Sequence, residues 1–281
     1  MNLQYKTGAY VEAGGNKVFF ANGILDVLAE ENIWIEKMIG LSSSGPIVLA
    51  YLINKNADAV DIFAQKLDSN KKNFYFFGKE HFPHNQIYRG AIEELLAGYR
   101  EGKWRDDFVI LGSYTVAEWI CTKSFLATLF LVLHRCGINF LKSLRSLFPI
   151  HKMTITSENA TSSEKLVDFI MGSSMIYPFI KPHPVDGNLV LEGALLELNP
   201  AHELADCHRK IIIYTKQGAT RVDGDTFHIY SDEVIPSNML DYTNGQKIRD
   251  LHRMGEFVMR KNLPLLRDFL KGGAEMHARG S

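Results

Sequence analysis

The order of apolar and polar positions in the first part of the chain predicts alternating strands and helices. AYVEAGG (residues 9–15) predicts a short strand that ends in a glycine turn, and NGILDVLAEEN (22–32) has one apolar and one acidic helical face. IWIEKMIG (33–40) alternates and then becomes apolar, as a strand entering a core does. PIVLAYLI (46–53) predicts a buried helix with Pro46 in its first turn. This order predicts an α/β fold with a mainly parallel central sheet flanked by helices.

The rest of the chain continues as one domain, residues 1–281, without an internal repeat or a long linker. The pattern predicts that residues 55–150 form a helical, aromatic-rich insertion or cap region, which includes FVILGSYTVAEWI (108–120). Further strands are predicted at HKMTIT (151–156), KIIIYT (210–215) and FHIYSD (227–232), and VDGNLVLEGALL (185–196) predicts a DG turn before an apolar strand. LVDFIMGSSMIYPF (166–179) predicts a helix that leads into a loop, and IRDLHRMGEFVMRKNLPLLRDFLK (248–271) predicts a closing helix.

Composition and charge narrow the class of protein. The formal net charge of −1 provides no basic excess for phosphate backbones, so nucleic acid is not an expected partner. The three cysteines lack CxxC spacing, which predicts neither a disulfide framework nor a zinc site and favours a reducing, cytoplasmic setting. The N-terminus lacks the pattern of a signal peptide. The most hydrophobic window, residues 124–133, is shorter than the about 20 residues that cross a bilayer.

The turn GLSSSG, Gly40–Gly45, places three serines between a predicted strand and a predicted helix. A strand–turn–helix elbow exposes a serine to substrate, and the helix N-terminus behind it adds unpaired N–H groups. Such a serine becomes a nucleophile when a neighbouring base takes its proton and donors stabilise the oxyanion. A capped turn, with the serines as N-caps, explains the same residues.

Several further segments, in order, make the chain resemble the patatin-like phospholipases. The resemblance covers residues from about 8 to 55 and from about 150 to 215. Its pieces are Ala13-Gly14-Gly15-Asn16-Lys17-Val18, Gly23-Ile24-Leu25, the serine turn, Gly172–Pro178, Val185-Asp186-Gly187, Leu191-Glu192-Gly193-Ala194 and Asn199-Pro200.

The resemblance implies a Ser–carboxylate dyad that cleaves acyl esters of lipids. Counting forward from the glycine loop makes Ser42 the nucleophile, and counting back from Gly45 makes it Ser43; Leu41 at the crowded position before Ser43 favours Ser42. The family's aspartate aligns with Glu192, whereas Asp186 takes the place of the turn before the strand. Glutamate keeps the carboxylate but must bend to reach the hydroxyl, since it has one more methylene.

The same resemblance assigns the oxyanion hole to the glycine loop. Gly14, Gly15 and Asn16 would supply N–H donors, while Val18 replaces a glycine and disfavours a positive φ. No metal and no organic cofactor are implied. A lipid substrate implies transient contact with a membrane surface, and the 124–133 segment is either a lid or interfacial helix or a buried core helix.

Two alternatives remain open at this point. The serine turn, Glu192 and the glycine loop differ from the family pattern, and these differences also fit a catalytically impaired relative that binds lipid or protein at the same site. A different serine hydrolase would use a histidine in a triad, with His183, His202 or His208 as candidates. His81 and His84 are interpreted as loop histidines, since no nearby set of ligands completes a metal site.

Overall fold

The computed structural model describes residues 6–75, 82–97, 104, 106–115, 151–175, 183–186, 188–193, 200–236 and 241–278. Within these ranges the strands are β1 (Thr7–Val11), β2 (Lys37–Leu41), β3 (Asp107–Thr115), β4 (His151–Thr156), β5 (His183–Val185), β6 (Asn188–Leu191), β7 (Arg209–Gln217), β8 (Arg221–Asp223) and β9 (Thr226–Ser231). The helices are α1 (Val18–Glu30), α2 (Ser44–Leu52), α3 (Asn56–Ser69), α4 (Gly90–Leu96), α5 (Ser163–Ser173) and α6 (Gly245–Ala278).

The described strands form one sheet in the order β5-β6-β3-β2-β1-β7-β9-β8, with β4 paired to β3. Its centre, from β3 through β2, β1 and β7 to β9, is parallel. Antiparallel strands complete both sides, since β8 pairs with β9 and the hairpin β5–β6 pairs with β3. The chain therefore has the predicted α/β fold with a mainly parallel sheet.

One edge of β3 is shared by two strands, and this arrangement positions the site. β4 pairs with residues 109–114 of β3, where it overlaps both β2, at residues 107–111, and β6, at residues 113–115. A strand has two edges, so β2 and β6 must both lie on the edge opposite β4. β6 therefore continues the edge at the point where β2 ends.

The prediction of helix for FVILGSYT was wrong, because residues 107–115 form β3. Ile110 packs into the main core on one face of the sheet, and Leu111 packs into a smaller core on the other face. A strand covered on both faces is apolar along its whole length and has no period-2 pattern that would separate it from a buried helix. The remaining part of the expected cap region, residues 116–150, lies outside the described residues and includes the 124–133 segment.

The main hydrophobic core combines residues of all six described helices with one face of the sheet. Helices α1 and α6 approach closely: a Cβ added to Gly23 would lie 2.0 Å from the His252 carbonyl oxygen, and one added to Gly255 would lie 1.9 Å from that of Phe20. Glycine at both positions is what lets the two backbones meet. Nothing among the described helices combines the length and the hydropathy needed to span a bilayer.

Candidate active site

The turn between β2 and α2 holds Ser42 in a conformation that few side-chain-bearing residues adopt. Its φ is +53°, in the left-handed region. The backbone N–H of Ser42 donates to the Ser173 hydroxyl at 2.8 Å, and that hydroxyl donates to the Leu111 carbonyl at 2.6 Å. The end of α5 thus anchors the turn to β3 and offsets part of the backbone strain.

Small residues on both sides of the turn allow it to close. A Cβ on Gly40 would lie 3.2 Å from the Cα of Gly45, so these two backbones are in contact across the turn. The Ser44 hydroxyl accepts from the Leu41 N–H and donates to the Leu41 carbonyl, both at 2.9 Å. Gly45, one residue later, makes the close approach to Gly40.

The Ser42 hydroxyl meets the Glu192 carboxylate, although the two residues are far apart in sequence. Ser42 Oγ donates to Glu192 Oε2 at 2.9 Å. Ser42 is 9% exposed and Glu192 is 4% exposed, so the pair is largely shielded from water. Glu192 follows β6 directly, and β6 continues the edge of β3 where β2 ends, which brings the carboxylate to the elbow. Gly193 fixes this backbone, since a Cβ there would lie 2.5 Å from the Leu111 carbonyl oxygen.

Ser43 has a different partner from Ser42. Its hydroxyl accepts the N–H of Gly14 at 3.2 Å, and its carbonyl accepts the hydroxyl of Tyr88 at 3.0 Å. Ser43 is the N-terminal flanking residue of α2, yet its side chain makes no capping hydrogen bond. The expectation that the serines other than the nucleophile cap this helix was therefore wrong: Ser43 binds the glycine loop and Ser44 closes the turn on Leu41.

The glycine loop lies beside the elbow and is held by β7 and by the segment before α6. Gly15–Lys17 form a 3-10 turn, and Gly15 has a φ of +57°. Gly14 packs on Thr215, whose hydroxyl oxygen would lie 2.6 Å from an added Cβ. The Asn16 side chain donates to the Asp241 carbonyl at 2.6 Å, so this side chain supports the loop and does not point its amide at a substrate.

Two amide N–H groups of this loop have no partner within the turn, for a simple geometric reason. The first N–H groups of a helical turn have no partner within the turn. Gly15 and Asn16 occupy those positions, whereas the Gly14 N–H is already engaged by Ser43. The paired glycines and the serine turn are thus neighbours, as the sequence led us to expect.

A buried aromatic and polar network, which the sequence did not reveal, lies behind the elbow. Its members are His84, Tyr88, Tyr242 and Ser174. Burial, followed by the charges of Tyr242 and Glu192, raises the pKa of Tyr88 well above its ordinary value, so the phenol stays a donor. The interpretation of His84 as a loop residue was wrong, because it is buried at the start of the helical segment that leads into α4.

The two triad candidates whose side chains are described, His202 and His208, do not lie at the Ser42 hydroxyl. His208 lies next to the beginning of β7, where its N–H donates to the Lys6 carbonyl at 2.9 Å, at the opposite end of the strands from Ser42. The His202 side chain is 58% exposed and lies 3.3 Å from the Glu203 carboxylate. The side chain of His183 lies outside the described part of the structure. Asp186 lies in the turn that follows β5, as predicted, and has a φ of +49°.

One group of three possible metal ligands occurs among the residues that the structure describes: Asp26, His252 and Glu256. Asp26 Oδ2 lies 3.2 Å from Nε2 of His252, whereas Glu256 Oε2 lies 3.7 Å from Nδ1. A metal ion would use one ring nitrogen, but the two carboxylates face different nitrogens. These distances do not place both carboxylates around one ring nitrogen, as a shared ion would require.

Comparison with known proteins agrees with the fold. A search of curated proteins found no match to this chain. The family model for patatin-like phospholipases matches residues 11–205, which include the glycine loop, the serine turn and Glu192. Membership in that family indicates lipid hydrolysis as the general activity and a lipid as the substrate. With more than half of its length matched, the chain belongs to the patatin-like phospholipase family.

Proposed function

We propose that the protein is a lipid acyl hydrolase in which Ser42 is the nucleophile and Glu192 is the general base. The observation that carries this proposal is the 2.9 Å hydrogen bond from Ser42 Oγ to Glu192 Oε2 at a strained strand–turn–helix elbow. A serine hydroxyl needs a base at hydrogen-bond distance, and a carboxylate can fill that role. Ser43 is the weaker nucleophile candidate, since its hydroxyl accepts from the Gly14 amide.

The reaction follows from these positions. Ser42 Oγ attacks the ester carbonyl and its proton passes to Glu192, while N–H groups of the glycine loop hold the oxyanion. The tetrahedral intermediate collapses to an acyl-enzyme, and Glu192 gives the proton to the departing alcohol. Glu192 then takes a proton from water, which attacks the acyl group, and Ser42 leaves with that proton as the fatty acid is released.

For the oxyanion donors we favour Gly15 and Asn16 over Gly14. Gly15 and Asn16 open the 3-10 turn and have amides that the turn itself leaves unpaired. The Gly14 amide can join them once the Ser43 hydroxyl turns away from it. Neither a metal nor an organic cofactor enters these steps.

The second candidate function is binding of lipid without catalysis, and one observation favours it. The Gly14 amide is already bonded to Ser43 at 3.2 Å, which leaves fewer preorganised donors for an oxyanion. Losing one such donor costs about 10²–10³ in rate in serine hydrolases. A lipid would then bind beside the serine turn and the glycine loop without being cleaved.

A fluorophosphonate probe separates the two candidates. We expect the probe to label Ser42, identified by mass spectrometry of the peptide, and to fail with Ser42→Ala. Glu192→Gln should slow labelling by about 10²–10⁴, the usual contribution of a general base. Asp186→Asn, an exposed carboxylate in the β5–β6 turn, is the matched control and should label normally. If no serine of the turn is labelled, the result supports binding of lipid without catalysis.

Two broader expectations accompany this proposal. A cytoplasmic setting with transient contact with a membrane surface remains a prediction that follows from the cysteine pattern and the lipid substrate. Fractionation of cells that express the tagged protein would check it, with the protein expected in the cytosolic fraction and a minor part on membranes.

A further inference from the structure

The network behind the elbow connects three separate segments to the dyad. His84 and Tyr88 stack with ring centroids 4.7 Å apart and an interplanar angle of 19°. Nδ1 of His84 lies 2.8 Å from the Tyr242 hydroxyl, and Nε2 lies 3.2 Å from the Ser174 hydroxyl. His84 therefore ties the segment before α6 and the end of α5 to the helix that carries Tyr88.

Both ring nitrogens of His84 have a hydroxyl partner inside the protein. Nδ1 faces Tyr242 and Nε2 faces Ser174, whose hydroxyl also lies 3.1 Å from the Met171 carbonyl. An imidazole with one protonated nitrogen donates from that nitrogen and accepts at the other, so the two hydroxyls can satisfy both ring nitrogens. Burial raises the pKa of Tyr242, which keeps its hydroxyl protonated.

Two routes lead from His84 to the reacting groups. The first runs through Ser174 to its neighbour Ser173, whose hydroxyl accepts the Ser42 N–H at 2.8 Å. The second runs through the stacked ring of Tyr88, whose hydroxyl donates to the Ser43 carbonyl at 3.0 Å. Both routes end on the backbone of the turn that holds the Ser42 hydroxyl against Glu192.

We propose that His84 is a positioning residue that holds the Ser42 elbow in its reactive conformation through Ser174 and Tyr88. This inference rests on the proposed function, because the elbow matters for rate only if Ser42 is the nucleophile. An elbow with a φ of +53° needs surrounding contacts to keep it in place. Displacement by about 1 Å can cost on the order of a hundredfold in rate.

Two variants test the inference. His84→Phe keeps a ring to stack on Tyr88 and removes both hydrogen bonds, whereas Tyr242→Phe removes only the hydroxyl that is bonded to Nδ1. Hydrolysis of p-nitrophenyl butyrate should show kcat lowered about 10–100-fold by His84→Phe, with KM changed less than about threefold. His84→Gln, which offers one donor and one acceptor, should recover part of the lost kcat. Tyr75→Phe, which removes the phenol that donates to Asn70, is the matched control.

Hydrogen exchange supplies a readout that does not depend on catalysis. Mass spectrometry of a peptide that covers residues 38–47 should show faster amide exchange in His84→Phe and Tyr242→Phe than in the wild type. Unchanged kcat together with unchanged exchange in Tyr242→Phe and His84→Phe overturns the positioning role. A wild type that fails to react with the fluorophosphonate overturns the proposed function, and the exchange result then decides whether His84 holds the elbow.

Discussion

Replacing Glu192 by aspartate restores the residue that the family has, and we expect it to impair the protein. One methylene less withdraws the carboxylate by about 1.5 Å. The Ser42 Oγ to Glu192 Oε2 distance of 2.9 Å would then become roughly 4.4 Å, beyond hydrogen-bond reach. The backbone cannot follow, since Gly193 is packed against the Leu111 carbonyl oxygen. A loss of about a hundredfold for each 1 Å predicts a decrease in kcat/KM of about 10²–10³.

The assay for Glu192→Asp is the rate of fluorophosphonate labelling at Ser42 together with hydrolysis of p-nitrophenyl butyrate. Glu94→Asp, at an exposed carboxylate that pairs with Lys66, is the matched control and should leave both rates unchanged. Thermal unfolding of each variant shows that the protein is folded. If Glu192→Asp reacts as fast as the wild type or faster, the carboxylate is not positioned as we have argued, and Glu192 is not the base.

Three further predictions concern the elbow and the helix interface. Ser43→Ala should retain labelling at Ser42, because the Ser43 hydroxyl binds only the Gly14 amide; abolished labelling would make Ser43 the nucleophile. Ser42→Gly and Ser42→Ala both lack the hydroxyl, but only alanine carries the backbone strain of the left-handed conformation, about 1 kcal/mol. Ser42→Gly should therefore unfold at a Tm about 2–4 °C above that of Ser42→Ala. Equal Tm values would contradict that strain. Gly23→Ala should lower the free energy of unfolding, measured with urea, by about 3 kcal/mol, because the added methyl group forces α1 away from α6. The control is Gly272→Ala, whose added Cβ has nothing within 4 Å, and it should be neutral or stabilising. Equal stability of the two variants would refute the close contact.

Much of the fold could be predicted from the sequence because its signals are local. The amphipathic segment around Leu25 has a length and a period that only a helix satisfies, and Pro46 marks the first turn of the buried run that follows it; both segments form helices. β3 could not be predicted in the same way. It is apolar on both faces because Ile110 packs into the main core and Leu111 packs into the smaller core on the other face, and this packing is invisible in a local pattern.

The candidate site divides in the same way between sequence and tertiary structure. The sequence by itself determined the chemical groups: a serine at a strand–helix turn, paired glycines upstream and an acid downstream. Only the fold decided that Ser42 rather than Ser43 faces Glu192, because that depends on where β6 meets the end of β2. It also decided that His84 lies behind the elbow. Hydrogen bonds act over a few ångströms in space, and distance along the chain does not reveal which groups the sheet brings that close.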